Sequence, residues 1–360
     1  MEPGIMNEQV KQAVSEDQIL LASILKKYED KLEGTHERVL ERLKSNSLDV
    51  AELRDLTYRH ALPFFATLDA LNCQPQHAEQ VACGAILAYS IPLVAIDTEL
   101  DGRPSSLRSN ESIWDQVKRP GVAQLITHEG YGEIAEGSES AVAVTLMSQV
   151  ASDTVAAMKL DATRRGLSTQ LVIDSRFIED YWYSPNSRLR GSGIGRLMMG
   201  LASILADGTV TDSRDQISII LGILRQLADE LMDVEEDVLS GLVTLPLAYA
   251  LRSPKVSDKL TQMVHRIWRR DSHSSSQRLN RFEDHQLREL ILISEGHKKI
   301  MQAADQLLDR ARGISLNNFA RPECVDALLV HRRKQIDSAV ANGLQEPNRP
   351  LRVGDLLVMI

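Results

Sequence analysis

The chain has 360 residues, of which 43% are hydrophobic, 25% charged and 4% aromatic, and its formal net charge is −9. That composition excludes wholesale disorder and collagen-like structure, and the acidic balance leaves no cationic surplus for broad nucleic-acid binding. Three cysteines, Cys73, Cys83 and Cys324, are too few and too scattered for a disulfide framework or a zinc site. The opening MEPGIMNEQVKQ lacks the apolar core of a signal peptide, and no uninterrupted apolar run approaches the ~20 residues that cross a bilayer. A cytoplasmic protein is the expectation.

In chain order, 1–14 is expected to be a loosely ordered tail. Over 17–44 the apolar residues Ile19, Leu20, Ala22, Ile24, Leu25 and then Val39, Leu40, Leu43 recur at three- and four-residue spacing, which predicts helix. The stretch 78–100 is nearly all apolar and contains Pro92, so it predicts a helix buried on every side and kinked at the proline. Further helices are predicted over 138–160, 186–206, 213–239, 242–252, 285–312 and 321–341. The best strand candidate, LVIDSRFI at 171–178, reads equally well as helix. Breaks rich in Gly, Pro, Ser and Asp fall at 102–112, 163–169, 207–214 and 271–278. None has the length of an interdomain linker. The prediction is one all-α domain over 15–342 followed by a tail at 343–360.

Two acidic constellations carry chemistry. Asp97-Thr98-Glu99-Leu100-Asp101 ends the most apolar helix, and Asp229-Glu230-Leu231-Met232-Asp233 lies within the apolar pattern of 216–234. In each, the outer aspartates are four apart, so both carboxylates leave one helix face about one turn apart. Alone, such a spacing usually marks a solvated face. Both pairs, however, adjoin apolar helix and read as lacking a basic neighbour to compensate them. Hard oxygen donors in this arrangement suit Mg²⁺, which keeps positions open for water or substrate phosphate.

The segment Gln226-Leu227-Ala228-Asp229-Glu230-Leu231-Met232-Asp233-Val234 resembles the second aspartate-rich motif of the trans-polyprenyl diphosphate synthases, roughly Q-x-x-D-D-x-x-D-V. Downstream, Gly241-Leu242-Val243-Thr244-Leu245-Pro246 through Leu251 resembles that family's G-K-x-T-L-P-x-x-Y-A-L. The family's D-D-x-x-D is similar to Asp97-Thr98-Glu99-Leu100-Asp101, with Thr98 in the second place. Arg188-Leu189-Arg190-Gly191-Ser192-Gly193-Ile194 resembles R-x-K-T-G-x-L, with Arg190 where the lysine sits.

The resemblance implies an all-α bundle of roughly ten to thirteen helices around a central apolar cavity of the isoprenoid-synthase type. It implies Mg²⁺ held by Asp97, Asp101, Asp229, Glu230 and Asp233, with Asp97, Asp101 and Asp229 in the catalytic role. The substrate would be an allylic prenyl diphosphate, with isopentenyl diphosphate as its partner in elongation. Its diphosphate contacts would come from Arg190, Arg59, His60, Arg103, Arg108 and Gln226, and Tyr89 and Ser90 would line the cavity, with Tyr89 as its floor. A homodimer and release of product at a membrane surface are also implied. Divalent cations stabilise the pyrophosphate charge that develops on ionisation, and an apolar cavity keeps the carbocation from water.

Three departures fall on these motifs. Thr98 removes a carboxylate. Leu242 replaces a lysine. The basic stretch that takes isopentenyl diphosphate is represented by Tyr58-Arg59-His60-Ala61-Leu62-Pro63, in which Leu62 replaces an arginine. These losses weigh on the second diphosphate, so a class I terpene cyclase using one diphosphate and a non-catalytic helical subunit stay open beside a prenyltransferase. Gly191-Ser192-Gly193-Ile194-Gly195 lacks the strand and lysine of a phosphate loop and reads as a close helix approach. Trp182, between Tyr181 and Tyr183, reads as packing. The histidines, including His60 and His331, show no metal spacing and read as structural or surface. The run Arg332-Arg333-Lys334 reads as a solvated face.

Overall fold

The computed structural model describes residues 23–45, 53–100, 116–119, 121–138, 140–164, 185–268 and 279–345. The predicted tail at 1–14, the strand candidate at 171–178 and the breaks at 102–112 and 271–278 lie outside them. No strand occurs among the described residues, which form fourteen α-helices. The chain runs through α1 (Glu29–Ser45), α2 (Arg54–Ala70), α3 (Ala78–Ala85), a π-helical turn (Ile86–Ser90) and α4 (Ile91–Leu100). It continues through α5 (Val122–Ser138), α6 (Ala141–Arg164), α7 (Pro185–Asp207) and α8 (Asp212–Met232). Six more helices follow: α9 (Val234–Leu239), α10 (Leu245–Leu251), α11 (Ser257–Trp268), α12 (Arg281–Ile293), α13 (Gly296–Asn318) and α14 (Pro322–Ala339). A second π-helical segment, Val340–Gln345, follows α14.

Residues 81–91 of the apolar stretch are buried, as its composition predicts, while Leu93 and Val94 are partly buried and Ile96 is exposed, and Pro92 is accommodated differently. A proline removes one backbone donor and crowds the carbonyl four residues back. Here the turn ahead of it widens to π geometry, with the Ile91 N–H donating to the Ile86 carbonyl. Such a bulge absorbs the lost hydrogen bond without ending the helix.

The predicted helix over 213–239 divides at Asp233, where α8 ends and α9 begins. The one over 285–312 divides at Glu295, a non-glycine residue with φ of 60°. Neither break carries a glycine or proline at the turn itself, and this raises the helix count above the expected range.

At the centre lies α8, packed against α7, α13 and α14. Ile217, Leu221, Leu224, Leu227, Ala228 and Leu231 are buried on it. The stripe follows the 3.6-residue period. Thr211 caps its start, accepting from the Arg214 N–H at 3.4 Å, and Asp212 and Asp215 favour the positive end of its dipole.

At the crossing of α3 with α5 the backbones approach closely. A Cβ on Gly130 would lie 2.5 Å from Ala88 N and 2.6 Å from the Gly84 carbonyl oxygen. Backbone cannot rotate away as a side chain can. Gly130→Ala is therefore expected to destabilise the fold by at least about 1–3 kcal/mol, visible as a lowered Tm in thermal unfolding. An unchanged Tm would contradict this packing. Beside this crossing, Glu133 is 3% exposed and paired with Arg42 and, at 3.5 Å, with Arg38, tying α5 to α1.

The expectation of no bilayer-length apolar run needs correction. By length and composition, Ala78–Ile96 and Ala141–Lys159 could each cross a membrane. The first is two-thirds buried, as a core helix is. The second is only one-third buried and leaves Val142 half exposed.

Candidate functional site

The last turn of α8 carries the second acidic pair. Asp229 and Asp233 are half-buried. The Asp233 N–H closes the helix by donating to the Asp229 carbonyl at 2.9 Å. The reading of this pair as uncompensated is corrected by Arg225, whose Nε lies 3.6 Å from Asp229 Oδ2, one turn earlier on the same helix.

Glu230, expected among the metal ligands, is 4% exposed. Its Oε2 accepts the Leu245 N–H at 3.1 Å and its Oε1 accepts from Gln226 Nε2 at 3.2 Å. Its carboxylate thus anchors the start of α10, supplying a partner that a first-turn N–H would otherwise lack. Gln226, expected on the diphosphate, holds Glu230 in place.

Four helices and the N-terminal segment enclose a pocket of about 80 Å³, room for several waters or a small anion. From α2 come Asp55, Tyr58, Arg59 and His60; from α8, Leu221, Gly222 and Arg225; from α14, Leu328, His331 and Arg332. Ile194 and Gly195 of α7 and Leu25 complete much of the wall. Three arginines thus line one recess, whose carboxylate among the described lining residues is Asp55. Burial, and then the nearby Arg225, push Arg59 down to about 10, so it remains a cation at neutral pH. The same guanidinium feels the charge of Asp229, so pocket and acidic pair belong to one neighbourhood.

His60 is 5% exposed, and its Nδ1 has no hydrogen-bond partner among the described residues. Burial first, then Arg225, Arg59 and Arg332, hold its pKa well below the usual value.

Tyr89 belongs to the π-helical turn and is 3% exposed. Its hydroxyl lies 2.8 Å from Thr154 Oγ1 on α6, and a Cβ on Gly193 of α7 would come within 1.8 Å of it. The small residues of 191–195 therefore admit this ring, in keeping with the close-approach reading of that segment. Burial pushes the hydroxyl up to about 12, so it stays a neutral phenol. Ser90 is fully buried and its Oγ has no partner among the described residues.

Asp97 stands on the backbone in the last turn of α4 and Arg190 in the first turns of α7, but their side chains lie outside the described residues. Asp101, Arg103 and Arg108 lie outside them altogether, as do Trp182 and its tyrosine neighbours. Among the described residues no group of three or more His, Cys, Asp or Glu side chains gathers as a metal site. Arg225, His331 and Arg332 escape the sequence reading. Arg332 belongs to a run taken for a solvated face, yet it lines the pocket and donates to Gln335 Oε1 at 2.7 Å. His331 is 2% exposed.

No protein-family model and no curated protein sequence matches the chain. Solved structures do. The polyprenyl synthase from Caulobacter crescentus CB15, crystallised with calcium and isoprenyl diphosphate, superposes with a TM-score of 0.65 at 18% identity. That match covers 89% of this chain and 97% of the other. A decaprenyl diphosphate synthase from Rhodobacter capsulatus gives a TM-score of 0.65 at 12% identity, covering 88% and 99%. A geranylgeranyl pyrophosphate synthase from Corynebacterium glutamicum gives 0.59 at 15%, covering 86% and 94%. The fold is that of the polyprenyl diphosphate synthases. Within this polyprenyl-synthase fold, the acidic end of α8 and the arginine-lined pocket of α2, α8 and α14 lie side by side.

Proposed function

We propose that the protein is a Mg²⁺-dependent prenyltransferase that joins an allylic prenyl diphosphate to a second prenyl diphosphate, isopentenyl diphosphate. The observation that carries the reading is the pocket built from Arg59, His60, Arg225 and Arg332 beside Asp229. The sequence departures had weakened the case for a second diphosphate by removing basic residues at their expected places. Arg225 and Arg332 supply cationic charge at the same recess from other helices, and guanidinium forks match phosphate geometry. A cyclase that uses one diphosphate has no need of a second anion site next to its acidic motif.

Asp229 and Asp233 are partly open hard-oxygen donors one turn apart, of the chemistry that suits Mg²⁺. They would hold it together with Asp97 and Asp101. The ion would offset the charge gathering on the departing pyrophosphate. On this reading Arg225 is shared by the two regions, drawn toward Asp229 on one side and toward the pocket anion on the other. Tyr89, closed against Thr154 and Gly193, would form the floor of an apolar tunnel behind α4 and favour short substrates.

We further propose a cytoplasmic homodimer that hands its product to a membrane surface. Support for the dimer comes from α6, whose stretch Ala141–Lys159 is apolar in composition and only one-third buried. A second copy would cover such a face.

Arg59→Ala tests the pocket. It is expected to weaken binding of inorganic pyrophosphate by about 10- to 100-fold, as loss of a charge-assisted hydrogen bond should, measured by isothermal titration calorimetry. Unaltered affinity would exclude the pocket as the diphosphate site.

A further inference from the structure

We propose that His60 takes up a proton when the pocket fills with a doubly charged phosphate-class anion, so that the site grips its anion more tightly as pH falls through neutrality. This rests on the reading of the pocket as a diphosphate site and adds a proton to its binding.

His60 is 5% exposed, lines the pocket, and keeps an Nδ1 without a hydrogen-bond partner among the described residues. The groups facing it come from every wall. Its own helix α2 brings Asp55, Tyr58 and Arg59, and α14 brings His331 and Arg332. From α8 comes Arg225, with Asp229 one turn beyond. The α7 wall, Ile194 and Gly195, is uncharged, as is Leu25. Past Tyr58, Glu33 and Arg54 neutralise one another through a 2.9 Å ion pair. Among the described residues, cations therefore outnumber carboxylates around the imidazole.

With no anion bound, burial and then Arg225, Arg59 and Arg332 hold the His60 pKa well below its ordinary value. A dianion offsets the charge of those arginines and offers an acceptor to Nδ1, and both effects favour the imidazolium. The pKa of His60 is then higher in the filled pocket than in the empty one. Binding consequently draws in a proton between those two values, and by linkage affinity falls as pH rises, by at most about tenfold per unit for one proton. Below the empty-pocket value the dependence vanishes, because His60 is already protonated there.

Titration calorimetry on the full chain decides the matter, with inorganic sulfate as probe because its charge is constant between about pH 6 and 8. Each titration is run in two buffers of different protonation heat. The expected result is net uptake of up to about one proton and an affinity that declines with pH. Both should disappear in His60→Gln, which keeps a hydrogen-bonding side chain, while sulfate still binds through the arginines. The wild-type buffer comparison stands even where that variant folds poorly. Sulfate binding without linked protons, or the same uptake in His60→Gln, overturns the proton coupling and leaves the diphosphate pocket standing. Failure of sulfate and pyrophosphate alike to bind overturns both.

Discussion

Asp229→Ala is expected to lower Mg²⁺-dependent turnover of an allylic diphosphate by about 10²–10³-fold, the scale at which a single group that stabilises developing charge is felt. The fold should barely register the change. Asp229 is half-buried, and its ion pair with Arg225, at 3.6 Å, has both side chains a third or more exposed. An exposed pair of this kind contributes no more than about 1 kcal/mol. Circular dichroism and Tm should therefore match the parent while product formation collapses. A variant that retained full turnover would remove Asp229 from the chemistry.

Its neighbour should behave in the opposite way. Glu230→Ala leaves the Leu245 N–H without its acceptor in a buried setting and frees the Gln226 amide. An orphaned buried donor costs about 1–3 kcal/mol. For a chain of this size that is a fall in Tm of several degrees. The start of α10 should also lose protection in hydrogen exchange. Adjacent residues, Asp229 and Glu230, would then divide cleanly into one that serves turnover and one that serves folding. Lost turnover with an unchanged Tm in Glu230→Ala would instead return that carboxylate to the metal.

Much of the fold was legible because helical periodicity is a property of one segment at a time. The apolar run over 81–91 and the stripe from Ile217 to Leu231 each announce their own burial. Where the reading fell short, local signals pointed elsewhere. The segment 54–70 holds Pro63 in its interior and was not predicted as helix, yet α2 carries the proline buried among apolar neighbours. Segment 122–138 holds three glycines, which lower helix propensity, and two of them, Gly130 and Gly137, let α5 approach α3. The breaks at Asp233 and Glu295 depend on how successive helices must turn to pack, which no single segment encodes.

The site divides in the same way. Asp229 and Asp233 are readable because their spacing lies within one helix. Arg59 and His60 are readable through a motif, in degraded form. The pocket itself is not. Arg225 and Arg332 are far apart in sequence, and only the packing of α2, α8 and α14 brings them to one recess. Arg332 in particular looks like any basic residue on a polar helix face until α14 is docked.

The central claim is that two diphosphates meet in this fold, one ionised and the other supplying the nucleophile. Incubation of the purified protein with an allylic diphosphate and Mg²⁺, with and without isopentenyl diphosphate, tests it most directly by product analysis. A longer prenyl diphosphate, formed only when both substrates and the metal are present, is the predicted result. A hydrocarbon or alcohol released from the allylic substrate alone, or no metal-dependent release of pyrophosphate at all, would contradict it.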